Sequence, residues 1–173
     1  MTRQKSNIVL IGMPGSGKST VGVLLAKRTS HGFIDTDVLV QTARGRSLQG
    51  IVDTDGYMAL RRIEQEILLS LDCRNHVIAT GGSAVYSPAA MEHLKLEGLV
   101  FFLETDLTTL VSRVRDFETR GLAKRQDQTL ADLYTERSPL YEKYADVIVS
   151  CANLTHEEVC ARIIEELRRY TEE

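Results

Sequence analysis

Short apolar runs alternate with longer stretches of helical period along this chain. Strand-like runs fall at 7–11, 32–35, 76–80, 98–103 and 146–149. Between them, apolar residues recur at three- and four-residue spacing over about 18–29, 37–44, 57–72, 88–96, 106–116, 129–143 and 155–170. That spacing lays one apolar stripe along a helix. The alternation predicts an α/β fold: a mostly parallel sheet with helices on both faces. Val100-Phe101-Phe102-Leu103 and Val147-Ile148-Val149 are apolar without a break, as strands covered on both sides are. Within 57–72, Leu60, Ile63, Ile67 and Leu71 form the buried stripe. Arg61 and Glu64, three apart on another face, read as a solvated ion pair. No internal repeat or low-complexity linker interrupts the pattern, so one domain spanning 1–173 is expected.

Composition narrows the classes. A chain of 173 residues, 43% apolar and 26% charged, is long enough to bury a core without staples. A net charge of −3 with no basic arm argues against a general nucleic-acid binder. No apolar stretch approaches a membrane span, and the polar opening Met1–Ser6 gives no expectation of a signal peptide. Cys73, Cys151 and Cys160 lack any C-x-x-C spacing. They read as reduced thiols of a cytoplasmic protein. His31, His76, His93 and His156 show no ligand spacing and are expected at the surface or at strand ends.

The chemistry concentrates in one stretch. Gly12-Met13-Pro14-Gly15-Ser16-Gly17-Lys18-Ser19-Thr20 fits the phosphate-binding P-loop pattern, after the apolar run Ile8–Ile11 and before a helical pattern. Glycines at 12, 15 and 17 permit positive φ and close backbone approach. The amides of Gly15, Ser16, Gly17 and Thr20 with the helix N-terminus then make an anion cradle. Lys18 is expected on the β- and γ-phosphates of a nucleoside triphosphate and Ser19 on Mg²⁺. The second strand ends in Asp35-Thr36-Asp37. Asp35 is placed to hold a water of the metal, and Asp37, unless it caps the next helix, to meet an acceptor hydroxyl. Glu104 also ends a strand, but Glu104-Thr105-Asp106 reads as a helix cap. Gly81-Gly82-Ser83 closes the third strand and can offer backbone groups to a ligand. The stretch Arg113–Arg125 carries four Arg and one Lys around Gly121 and reads as a basic lid. Arg137 is compatible with the crevice or with a surface ion pair. No Asn-Lys-x-Asp is present, which removes the guanine-specific switch GTPases.

Together these pieces resemble the shikimate kinases, small relatives of the nucleoside monophosphate kinases. The likeness runs from the P-loop through Phe33–Asp37 to Arg137-Ser138-Pro139-Leu140-Tyr141 and Ala145-Asp146. It implies a three-layer P-loop kinase sandwich with sheet order 2-3-1-4-5, a substrate-binding region at about 37–62 and a lid at about 113–125. It implies ATP and Mg²⁺, and phosphorylation of the 3-hydroxyl of shikimate. In that reading Lys18, Asp37 and Arg120 are catalytic, and Ser19 and Asp35 serve the metal. Arg113 stacks on adenine; Arg61 and Arg137 grip the substrate carboxylate; Gly81, Gly82 and Ser83 contact the substrate. Expected partners are shikimate and ATP alone, with no nucleic acid, no membrane and a monomeric chain. Three positions depart from the family pattern: Ser83 in place of a third glycine, Arg120-Gly121-Leu122-Ala123 in place of R-P-L-L, and no arginine near Asn153-Leu154. Two other readings stay open: a kinase of another small hydroxy acid, of the gluconate-kinase type, and a nucleotide-binding regulatory protein without catalysis.

Overall fold

The computed structural model describes residues 5–114 and 117–172, with the side chain of Glu172 excepted. Arg115 and Asp116, which fall in the expected lid, lie outside the described residues, as do Met1–Gln4 and Glu173. Five strands, β1 (Asn7–Ile11), β2 (Gly32–Asp35), β3 (His76–Ala79), β4 (Gly98–Glu104) and β5 (Val147–Ser150), form one sheet in the order β2-β3-β1-β4-β5. Every neighbouring pair is parallel, with Val9 opposite Ile78 on one side and Val100 on the other. Helices α1 (Lys18–Thr29), α2 (Thr36–Arg44), α3 (Leu48–Asp55), α4 (Tyr57–Ser70), α5 (Pro88–Glu97), α6 (Leu107–Arg113), α7 (Leu130–Tyr144) and α8 (His156–Glu172) connect and cover it. The expected sheet order is the observed one.

Strand side chains alternate between faces, and the two cores follow that alternation. Ile8, Leu10, Leu99 and Phe101 pack with Val21 and Leu25 of α1 and Val159 and Ile163 of α8. Val9, Ile11, Val100 and Phe102 pack on the opposite face with residues of α4, α5 and α7. A third, smaller cluster joins Val40, Ile51, Leu60 and Ile63 of α2, α3 and α4 to Ala123, which lies between α6 and α7.

Four departures from the sequence pattern have plain causes. Burial on both faces holds for β3, β1 and β4, but β5 is an edge strand and Ile148 is 50% exposed. An apolar run alone does not tell an edge from a centre. Helix α3 was not anticipated. Gly50 interrupts its short pattern, and the element starts because the Ser47 hydroxyl accepts from the Gly50 N–H at 3.1 Å. Helix α6 ends at Arg113, short of the expected 116. Asp146 precedes β5 and fixes its entry, accepting from the Val100 N–H at 2.9 Å and from Lys95 Nζ at 2.6 Å.

Strand β1 has β3 on one side and β4 on the other, whereas the chain passes from β1 to β2 first. That reversal opens a crevice at the carboxyl end of β1, where ligands of open α/β sheets bind. The sheet leaves little slack elsewhere. At Gly98, where α5 turns into β4, an added Cβ would come within 2.7 Å of both the Leu94 carbonyl oxygen and Val9 Cγ2. Gly98→Ala is expected to lower unfolding stability by about 1–3 kcal/mol through overpacking. Urea unfolding should show a lower midpoint with an unchanged slope; an unchanged midpoint would contradict this packing.

Candidate active site

The loop between β1 and α1 turns on three glycines at positive φ: Gly12 (149°), Gly15 (84°) and Gly17 (95°). It closes around its own lysine. Lys18 is 8% exposed, and its Nζ donates to the Gly12 carbonyl at 2.7 Å and the Met13 carbonyl at 2.9 Å. The Ser16 hydroxyl lies beside it at 3.5 Å. Burial lowers the Lys18 pKa to about 8. Asp37 and Asp35 hold the charge up, while Arg137 and Arg120 work against it. No carboxylate lies within ion-pair distance of Lys18 among the described residues.

Asp35, not Asp37, caps α2: its Oδ1 accepts from the Asp37 N–H at 3.0 Å and the Val38 N–H at 3.3 Å. Its Oδ2 accepts from the Ser19 hydroxyl at 2.5 Å. The helix-cap alternative for Asp37 therefore falls, and Asp37 lines the cleft instead. Burial, then the neighbouring Asp35, raises its pKa above the usual carboxylate value; Lys18 and Arg120 oppose the rise. The Ser19–Asp35 pair is an all-oxygen donor set of the kind Mg²⁺ takes when phosphates and water complete its shell. No group of three or more His, Cys, Asp or Glu that could hold a metal occurs among the described residues, so a metal here would depend on the phosphates.

The opposite wall corrects the reading of α4. Glu64 is 7% exposed and accepts from the Ser83 hydroxyl; it is no solvated partner of Arg61. Arg61 stacks over the Tyr86 ring, 3.7 Å from its centroid, and donates to the Ala123 carbonyl at 3.2 Å. It lines a neighbouring pocket of about 250 Å³ rather than the main cleft. Arg137, left open by the sequence, is 1% exposed and faces the cleft. Its Nη2 also donates to the Ala123 carbonyl, at 3.0 Å, and its Nε to the Tyr86 hydroxyl at 3.2 Å. Gly82 makes room for it, since a Cβ there would meet Arg137 Nη1 at 2.8 Å. The Gly82 carbonyl accepts from the Tyr141 hydroxyl at 2.6 Å. The Gly81 N–H is committed to Thr36 Oγ1 at 3.1 Å, so Gly81 contributes space. A Cβ there would lie 2.3 Å from Glu64 Oε1 and 2.8 Å from Asp37 Oδ1.

Arg113 and Arg120 line the same cleft of about 420 Å³ as Gly15, Gly17, Lys18, Ser19, Thr20, Asp37, Gly82, Ser83 and Arg137. Arg113 Nη1 donates to the Gly15 carbonyl at 3.3 Å. Gly121 carries a positive φ of 68° and donates its N–H to Gln49 Oε1 at 2.7 Å, tying its turn to α3. Sequence reasoning missed Tyr86, Tyr141, Gln49 and His156. His156 lines the cleft beside Gly17, where a Cβ would meet its Nε2 at 3.0 Å. Only Tyr141 left a signal, four residues after Arg137 on one helix.

A family model described as shikimate kinase matches residues 14–168. The chain belongs to the shikimate kinase family. A shikimate kinase of Thermodesulfovibrio yellowstonii is 36% identical over 166 residues, covering 94% of this chain and 95% of that protein. That of Rippkaea orientalis is 38% identical over 165 residues, covering 94% of this chain and 88% of its own. Among solved structures, shikimate kinase from Acinetobacter baumannii in complex with shikimate superposes with a TM-score of 0.87 at 28% identity, covering 96% of this chain and 94% of that one. Shikimate kinase from Aquifex aeolicus gives 0.83 at 34% identity, covering 95% and 98%.

The buried lysine of this shikimate kinase family member gives a direct test of the site. Burial disfavours the ammonium, so Lys18 should release its proton at lower pH than an ordinary lysine. A titration of lysine Nζ resonances in the nucleotide-free protein, assigned with Lys18→Met, should show a midpoint near 8 rather than 10.5. A midpoint at 10.5 would place the ammonium in water.

Proposed function

We propose that this cleft transfers the γ-phosphoryl group of ATP to the 3-hydroxyl of shikimate, giving shikimate 3-phosphate and ADP. One observation carries the reading. Two buried cations, Lys18 and Arg137, face the same cleft as Asp37, and neither has a carboxylate at ion-pair distance among the described residues. Buried charge is costly unless it is paired. A triphosphate would pair the first and a carboxylated acceptor the second.

In this proposal the amides of residues 15–20 and Lys18 hold the polyphosphate, with Arg113 beside the base and Arg120 on the phosphates. Ser19 and Asp35 would hold Mg²⁺, which when bound neutralises phosphate charge. Arg137 orients the carboxylate, and a guanidinium fork suits that shape. A carboxylate oxygen in the position of the Ala123 carbonyl would meet both Arg137 and Arg61, so substrate entry exchanges one acceptor for another. Asp37 accepts the hydroxyl proton as the acceptor oxygen bonds to the γ-phosphorus and the bond to the β-bridging oxygen breaks. Positioning and charge stabilisation supply most of the acceleration in such transfers, so Asp37 contributes less than Lys18 and Arg120. The stretch 37–62 holds the substrate and 113–125 acts as lid, within one domain. A cytoplasmic location belongs to the same proposal and rests on the free thiols of Cys73, Cys151 and Cys160.

A coupled ADP-release assay with ATP, Mg²⁺ and, separately, shikimate, quinate and gluconate tests it. Turnover is expected on shikimate. Arg137→Ala should raise KM for shikimate roughly ten- to hundredfold, the worth of a charged hydrogen bond, with KM for ATP little changed. Turnover on gluconate alone would move the chain to the other acceptor, and none on any acceptor would favour a regulatory nucleotide binder.

A further inference from the structure

Glu64 is the second acid of the cleft, and the transfer itself makes no use of it. It is 7% exposed and forms no ion pair within 4 Å among the described residues. The Ser83 hydroxyl donates to its Oε2, and its Oε1 lies over Gly81 on the side of Asp37. The charged and titratable groups that face it are Asp37 from α2, Arg61 from its own helix, and Arg137 and Tyr141 from α7. Burial and, less strongly, Asp37 raise its carboxyl, Ser83, Arg137 and Arg61 oppose the rise, and the balance lies at about 7. Loss of the Ser83 hydroxyl would shift the balance further toward the protonated form.

Ser83 is the position where the family pattern has a third glycine. Its backbone does not require one: φ is −94° and ψ 0°, within reach of any residue. The side chain is 6% exposed, so the hydroxyl is enclosed with its acid. Glycine at this point would leave Oε2 without that donor.

We propose that Ser83 is a positioning residue that favours the ionised form of Glu64 and fixes its carboxylate in the cleft wall, as acceptor for a second hydroxyl of the substrate. A carboxylate oxygen has lone pairs to spare after one hydrogen bond, and Glu64 Oε1 and Asp37 Oδ1 border the same space over Gly81. The acceptor hydroxyl would face Asp37 and a neighbouring hydroxyl would face Glu64. An acceptor without that second hydroxyl would leave a buried carboxylate underpaired, the situation in which enclosed polar sites discriminate strongly. Ser83 thus acts on specificity through Glu64. The hydroxyl part rests on the shikimate reading above; the coupling of Ser83 to Glu64 does not.

The test uses the full chain with Ser83→Gly, Ser83→Ala, Ser83→Thr, Glu64→Gln and the double variant Ser83→Gly/Glu64→Gln. In the nucleotide-free protein, the carboxyl resonance of Glu64 should titrate near 7 and move upward in Ser83→Gly and Ser83→Ala but not in Ser83→Thr. The acid limb of kcat/KM for shikimate should shift upward by about one pH unit in Ser83→Gly. KM for shikimate should rise about tenfold at pH 7, with KM for ATP unchanged. In the Glu64→Gln background, Ser83→Gly should add nothing, because the two residues act through one interaction. An unmoved Glu64 titration in both Ser83→Gly and Ser83→Ala would overturn the proposal. So would an equal effect of Ser83→Gly with and without Glu64. Absence of shikimate turnover by the wild-type chain, with the Glu64 shift present, would remove the shikimate reading and leave the Ser83–Glu64 coupling standing.

Discussion

A buried ammonium surrounded by its own loop sets the terms for this molecule. Lys18 gives up water for two carbonyl oxygens, and carbonyl dipoles repay only part of the cost of burying a full charge. The deficit appears as a lysine pushed to about 8. An arriving polyanion removes it, because the ammonium then gains a charged partner in a low-dielectric site. The rest of the loop serves that exchange. Its positive-φ glycines keep side chains away, and Gly15 could not be otherwise: a Cβ there would meet Val114 Cγ2 at 2.6 Å.

The fold places a second buried cation within the same cleft, again with no carboxylate at ion-pair distance among the described residues. Arg137 comes from α7, far along the chain, and is enclosed by Tyr86, Tyr141 and the backbone carbonyl of Ala123. Ala123 belongs to the small cluster built by α2, α3 and α4, and Gly121 is tied to Gln49. Gly121 and Ala123 are therefore joined to α2, α3 and α4 through shared packing. The two arginines that would hold a substrate carboxylate meanwhile share one backbone oxygen.

How much of this was legible varies with how local the signal is. The phosphate loop, Asp35 and the five strands could be read because glycine spacing, a strand-terminal acid and apolar runs are contiguous in sequence. Sheet order came from the family resemblance, not from any pattern in the residues. The Arg61–Glu64 pair was misread because helical spacing says which residues share a face but not what that face meets. Glu64 turned inward to Ser83, and Arg61 lay flat on Tyr86. Arg137 could not be decided from sequence, since its burial depends on Gly82 having no Cβ and on two tyrosines from elsewhere. Tyr86 and His156 gave no sequence signal, because each reaches the site only through the tertiary path of its own loop or helix end.

The central claim is that a polyphosphate and a carboxylate complete the two buried cations. A crystal structure with a non-hydrolysable ATP analogue, Mg²⁺ and shikimate tests this most directly. It should show Lys18 released from the Gly12 and Met13 carbonyls onto phosphate oxygens, and Arg137 on the shikimate carboxylate in place of the Ala123 carbonyl. A nucleotide seated away from residues 12–20, or shikimate bound with Arg137 still on Ala123, would contradict it.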